Sequence, residues 1–178
     1  MIRMYSDNLI FLDTEFTNLD PKVGELLSIG LVTYNGKELY LELEYDKRGV
    51  HPWVEKNVIP KLQGNPISNE KARKKLLKFI GTPGKKSNKP FMMAYVNQFD
   101  AVYWYKLFDS PKEHPLYWIP MDFASILFAH GFDPNSMGKK KFFDLLGIDK
   151  EAYKLHNALD DAKLLREMYL KFEGYIKK

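Results

Sequence analysis

Hydrophobic and polar positions alternate along this chain in two rhythms, one of strands and one of helices. Residues 9–12 (LIFL) form a short continuous apolar run, the pattern of a buried strand. Residues 26–34 and 38–45 read as two more strands around Asn35-Gly36, and an Asn-Gly between strand-like runs predicts a tight hairpin. Residues 52–59 predict a short helix, with Pro52 suited to its first turn and Pro60 ending it. Residues 69–80 predict a basic amphipathic helix with Ala72, Leu76, Phe79 and Ile80 inward, broken by Gly81-Thr-Pro-Gly84.

The second half repeats the alternation. Residues 91–95 (FMMAY) predict a buried strand, 99–108 an aromatic-rich helix, and 116–121 a further strand. Asp122 is placed to cap a helix over 123–130 that ends at Gly131. Residues 141–146 give a short helix before Gly147, and 157–173 give the clearest helix of all. A strand meander followed by alternating strands and helices predicts an α/β domain with a mixed sheet. No repeat or linker interrupts residues 1–178, so a single domain is expected.

Composition narrows the chemistry. The chain has no cysteine, which excludes disulfides, thiol catalysis and cysteine-ligated zinc, and suits a reducing compartment. No apolar run approaches the ~20 residues of a membrane span, and the N-terminus does not read as a signal peptide. A cytoplasmic protein without membrane partners is expected. The net charge of +4 is mild, but the lysines cluster. One cluster is Lys71, Arg73, Lys74, Lys75 and Lys78, a second is Lys85, Lys86 and Lys89, and a third is 139–141. Such clusters attract phosphate backbones, although solvated helix faces and loops carry them too.

Three local features are out of place. Asp13 and Glu15 stand two residues apart at the end of an apolar strand, so period-two geometry sends both to one side of the sheet. Adjacent buried like charges are costly unless a cation sits between them. The alternative is that the strand stops at Leu12 and both acids lie in a solvated turn. Asp100 follows the strand 91–95 and opens a helix, where Asp is ordinarily a cap. In the segment 156–162 (HNALDDA), Asp161 falls on the apolar stripe with Ala158, Ala162 and Leu165, whereas Asp160 falls on the solvent side with Lys163 and Glu167. An inward carboxylate needs a partner, and His156 stands five residues before it.

Jointly, these acids lie on three elements, each at a junction that can face a cleft. Four carboxylates suit hard divalent ions, and two Mg²⁺ or Mn²⁺ ions about 3.5–4 Å apart are within their capacity. A neutral histidine near pKa ~6.5 can take a proton from an attacking water.

The order Asp13-Thr14-Glu15, Phe99-Asp100, then His156-x4-Asp161 resembles the three motifs of the DEDDh exonuclease superfamily, which includes proofreading exonucleases, oligoribonuclease and RNase T. The resemblance implies an RNase H-like fold with a mixed five-stranded sheet flanked by helices. It also implies a metal-dependent 3′–5′ exonuclease releasing nucleoside 5′-monophosphates. Asp13, Glu15, Asp100 and Asp161 would then be ligands of two Mg²⁺ or Mn²⁺ ions and His156 the general base.

Between the motifs, the stretches 27–30 (LSIG), 53–55 (WVE) and 58–62 (VIPKL) are similar to RNase AS, a homodimeric exoribonuclease family that favours adenylate-rich RNA. Proofreading-type members carry His-Asn ahead of the second-motif Asp. Here the pair is Tyr95-Val96, as in RNase AS, but Asn97 and Gln98 replace the usual small residues. The expected substrate is single-stranded RNA or a 3′ overhang. A DNA 3′–5′ exonuclease and a catalytically silent nucleic-acid-binding module are the alternatives. Phe16 is equally a base-stacking ring and a core residue. Trp53 reads as a core residue, with a place facing the substrate or a dimer partner as the alternative, and Tyr103, Trp104, Tyr105, Tyr117 and Trp118 read most simply as packing residues.

Overall fold

The structure is a computed structural model, and it describes residues 6–81, 89–109 and 114–177. The element order is β1 (Leu9–Phe16), β2 (Leu26–Thr33), β3 (Glu38–Leu43), α1 (Pro52–Asn57), β4 (Pro66–Ile67), α2 (Asn69–Ile80), β5 (Phe91–Ala94), α3 (Gln98–Leu107), β6 (Met121–Asp122), α4 (Phe123–Ala129), α5 (Lys140–Leu146) and α6 (Ala158–Ile176). The strands form one mixed sheet in the order β4-β3-β2-β1-β5-β6. β2 is antiparallel to β1 and to β3, while β5 is parallel to β1 and β6 to β5.

Alternation along β1 divides the core. Ile10 and Leu12 face α2 and α3, where Ala72, Leu76, Ala101 and Trp104 are buried with them. Leu9 and Phe11 face the other way, onto Ala162, Leu165, Met168 and Phe172 of α6. Helices thus cover both faces, which is why β1 reads as a continuous apolar run rather than an alternating one. A smaller cluster joins Val54 and Val58 to Leu27 of β2.

Three expectations change. β1 does not stop at Leu12: pairing with β2 carries it to Phe16, with a register irregularity between Glu15 and Phe16. The expected strand at 116–121 shortens to Met121–Asp122. Pro115 precedes the lost residues and Pro120 is the last of them, and proline cannot donate to a ladder. The expected five strands are six, because Pro66–Ile67 adds an edge strand beside β3 that is too short to leave a pattern. The Asn35-Gly36 hairpin forms, with Gly36 at φ +86°, a conformation that glycine adopts without a Cβ clash. Thr82 to Gly84 of the chain break, and Lys85 and Lys86 of the second basic cluster, lie outside the described residues. Among the described residues no helix is long and apolar enough to cross a membrane.

Candidate active site

The extension of β1 decides where the acids go. Asp13 and Glu15 continue the row Leu9–Phe11 that faces α6, so they lie on a sheet face rather than in a turn. β1 and β5 pair only as far as Phe11 and Met93. Beyond that point β1 keeps β2 but leaves β5, and a crevice opens at the carboxyl ends of the two parallel strands, the usual ligand position in such sheets.

The first turn of α6 meets this crevice from the other side. Asn157 caps the helix, its side chain accepting from the Asp160 N–H at 3.2 Å. Gly30, opposite Asp13 in the β1–β2 ladder, lets the turn lie directly on the sheet, because a Cβ there would stand 2.0 Å from the Ala158 carbonyl oxygen. Asp161, one turn in, then points at the β1 acids. Asp13, Glu15 and Asp161 each offer a carboxylate oxygen, and the three oxygens lie within 4.8 Å of one another.

Asp100 lies in the same cleft, of about 380 Å³, but is held differently. It is buried at the start of α3, and its Oδ1 accepts from the Thr14 N–H at 2.8 Å and the Thr14 hydroxyl at 2.7 Å. It therefore ties α3 to β1 between the two strand acids. Its place at a helix start follows the expectation, but Thr14, its partner on a strand, lies 86 residues away.

His156 stands on the exposed rim of the cleft. Its backbone is left-handed, with φ +60°, and its N–H donates to Asp161 Oδ2 at 2.7 Å. Val96, between β5 and α3, is also left-handed at φ +56°. A β-branched residue is rarely found there. Its N–H donates to Asp122 Oδ1 at 2.8 Å, while Asp122 Oδ2 caps α4 through Ser125. Strained backbone on two walls of one cleft is characteristic of functional sites.

The electrostatics are those of an anion cage. Burial, then the neighbouring carboxylates Asp100, Asp161 and Glu15, raise the Asp13 pKa well above its ordinary value. Glu15 is pushed to about 8 by burial, then by Asp161 and Asp100. Burial pushes Asp100 to about 7 against the Thr14 hydrogen bonds, and Asp161 to about 6 against the His156 N–H. Such groups need a cation or protons to share the space. Lys61 favours the charged forms of Glu15 and Asp161, but it is one charge against four. The donor set, all carboxylate oxygen and converging, fits hard divalent ions. The His156 pKa is lowered, first by desolvation and then by Lys61 and Lys150, so the ring is neutral near pH 7.

Other expectations divide. Phe16 lines the cleft, but its ring stacks on Tyr103 at 4.5 Å and packs against the core, so both of its readings have a basis. Trp53 is not a core residue: it is 49% exposed, and its ring meets the His156 imidazole at 5.1 Å. Trp118, expected to pack, is 64% exposed in the proline-flanked segment before β6. Tyr103 and Trp104 are buried as expected. Asp160 turns from the cluster, with its carboxylate 3.7 Å from Lys163 Nζ.

Of the basic clusters, Lys71, Lys74, Lys75 and Lys78 lie exposed on α2, and Arg73 pairs with Asp109, Lys74 with Glu70, Lys139 with Asp133 and Lys140 with Asp144. The cations that act on the site are instead Lys61, which favours the charged forms of Glu15 and Asp161, and Lys150, which with Lys61 acts on His156; neither belongs to a basic cluster.

No protein-family model and no curated protein matches the chain. Solved structures do match in fold. The nuclease domain of 3′hExo, a DEDDh family member bound to rAMP, superposes with a TM-score of 0.70 at 13% identity, over 96% of this chain and 94% of that one. The RNase domain of the yeast Pop2 protein gives 0.66 at 12% identity, over 96% and 78%. E. coli ExoI, in a zinc-bound complex with ssDNA, gives 0.66 at 14% identity over 96% of this chain. This chain spans only 41% of the ExoI chain. The fold of this chain is therefore the RNase H-like fold of the DEDDh 3′–5′ exonucleases.

Proposed function

We infer that this cleft hydrolyses the terminal phosphodiester at the 3′ end of single-stranded RNA, releasing nucleoside 5′-monophosphates. The observation that carries the reading is the meeting of Asp13, Glu15 and Asp161 within 4.8 Å, with Asp100 and His156 lining the same cleft. Asp13, Glu15, Asp100 and Asp161 would hold two Mg²⁺ or Mn²⁺ ions. What divalent ions supply in such a site is Lewis acidity and charge neutralisation at the scissile phosphate.

The chain's own groups have the remaining roles. His156, neutral at pH 7 and on the open rim, accepts the proton of the attacking water. Thr14 holds Asp100 in place through two hydrogen bonds, leaving Oδ2 for the cleft. Phe16 offers a ring to the terminal base from the cleft wall. The choice of RNA, a preference for adenylate-rich sequence and a homodimer rest on the likeness to RNase AS of residues 27–30, 53–55 and 58–62, and a cytoplasmic location rests on the cysteine-free composition.

The test uses matched RNA and DNA oligonucleotides labelled at the 5′ end, with Mg²⁺, Mn²⁺ or a chelator. Stepwise shortening of RNA from the 3′ end, abolished by chelator, is expected. Internal cleavage of circular RNA overturns the reading. Faster turnover of DNA replaces RNA with DNA as the substrate. Sedimentation velocity checks the dimer.

A further inference from the structure

Residues 51–61 are fastened to the sheet on one side and to the His156 turn on the other. The His51 N–H donates to the Thr17 carbonyl at 2.8 Å, just past the acidic end of β1. His51 Nδ1 accepts from the Trp53 N–H at 3.2 Å and caps α1. Val54 and Val58 are buried against Leu27 of β2. These contacts make α1 and the 3₁₀ turn Ile59–Lys61 one rigid block on the sheet.

The outer side of that block reaches the His156 turn at two points. The Trp53 and His156 rings are 5.1 Å apart with their planes at 85°, an edge-to-face pair. Lys61 Nζ donates to the Leu155 carbonyl at 2.6 Å. One contact restrains the imidazole, and the other restrains the peptide just before it. Leu155 and His156 sit in a turn, so no helix or ladder hydrogen bond pattern orients them.

We propose that Trp53 and Lys61 are positioning residues, a two-point brace that keeps the His156 ring aimed into the cleft. The inference rests on the reading of His156 as the base. A base must be held to within a fraction of an ångström of its proton donor, and a turn residue with a left-handed backbone needs support from outside its own segment. The brace also accounts for a tryptophan half exposed beside the cleft: its contact is with the imidazole and not with the core.

Steady-state kinetics on a single-stranded, adenylate-rich RNA oligonucleotide with Mg²⁺ test this. Trp53→Ala and Lys61→Met should each lower kcat on the order of 10- to 100-fold, the scale of a misplaced catalytic group. KM should change by less than about twofold, since no substrate contact is lost. Trp53→Phe and Lys61→Arg should recover most of the turnover. In a His156→Ala background neither substitution should lower kcat further, because nothing remains to be positioned.

A raised KM at unchanged kcat would show that Trp53 stacks on a base or that Lys61 grips a phosphate, and would overturn the brace. Additive losses in the His156→Ala background would overturn it as well. Wild-type turnover in His156→Ala alone removes the base assignment and the brace with it, and that outcome is read before the double variants. Should Trp53→Ala melt early, Trp53→Leu keeps the apolar bulk without the ring. Full kcat there counts against the brace.

Discussion

Gly30 and Ala158 are in backbone contact: a Cβ on Gly30 would lie 2.0 Å from the Ala158 carbonyl oxygen and 2.2 Å from its carbon. Gly30 also faces Asp13 across the β1–β2 ladder, so this contact sets the distance between the strand acids and Asp161. Because the obstructing atoms are backbone, a methyl group at Gly30 must push the first turn of α6 off the sheet. Gly30→Ala should cost about 1–3 kcal/mol, the range of an overpacked core. It should also weaken Mn²⁺ binding. Gly174 in α6 has no atom within 4 Å of its would-be Cβ, and Gly174→Ala should be neutral or stabilising by up to about 1 kcal/mol. Thermal melts and Mn²⁺ titration of the pair give the comparison, and equal behaviour would remove the argument.

The acid cluster should make the metal-free fold weaker as pH rises. Glu15, Asp100 and Asp161 titrate at about 8, 7 and 6 in the fold, above their ordinary values of 4.5, 3.8 and 3.8. A folded-state pKa raised above the unfolded one means the fold binds more protons, so the stability these groups allow is fullest below about pH 4 and declines as pH rises through 8. His156 acts oppositely, its lowered pKa favouring the fold as pH rises. The measurement is therefore a difference. In chelator, Asp13→Asn should melt above wild type at pH 8, and the gap should close toward pH 4.5. The same variant should lose nearly all nuclease activity with Mg²⁺. A lower melting temperature at pH 8 would contradict the electrostatic account.

Asp160 and Asp161 are neighbours with separate environments. Asp161 belongs to the three-acid group. Asp160 accepts from the Lys154 N–H at 3.3 Å and lies near Lys163 at a partly exposed site. Asp161→Asn should abolish turnover and weaken Mn²⁺ binding. Asp160→Asn should keep its activity and cost no more than about 1 kcal/mol, the worth of an exposed ion pair. Paired assays of turnover and Mn²⁺ affinity decide it, and a reversed result would mean that the register of α6 is wrong.

The left-handed turn at His156 supplies a fourth test. At φ +60° a side chain is strained and glycine is not. His156→Gly should therefore be more stable than His156→Ala by about 1 kcal/mol, the lower end of such backbone strain. Both should lack most of the turnover while keeping Mn²⁺ binding, since the Asp161 partner is the backbone N–H and survives either change. Chemical denaturation measures the first claim, and single-turnover kinetics measure the second.

What the sequence determined by itself are the features set by local geometry. Period two put Asp13 and Glu15 on one side of β1, and the 100° step of a helix put Asp161 inward and Asp160 outward. Asn35-Gly36 and Asp122 marked a turn and a cap by their own backbone chemistry. Tertiary structure decided which surfaces meet. Whether β1 ended at Leu12 or ran to Phe16 depended on its pairing with β2. The partner of Asp100 was Thr14, 86 residues distant, and the partner of the Leu155 carbonyl was Lys61, 94 residues distant. Trp53 carried no sign of its place beside His156, because an aromatic residue has the same local signature in a core as on a cleft rim. Periodicity specifies the face a side chain takes, but its neighbour is chosen by the packing of the rest of the chain.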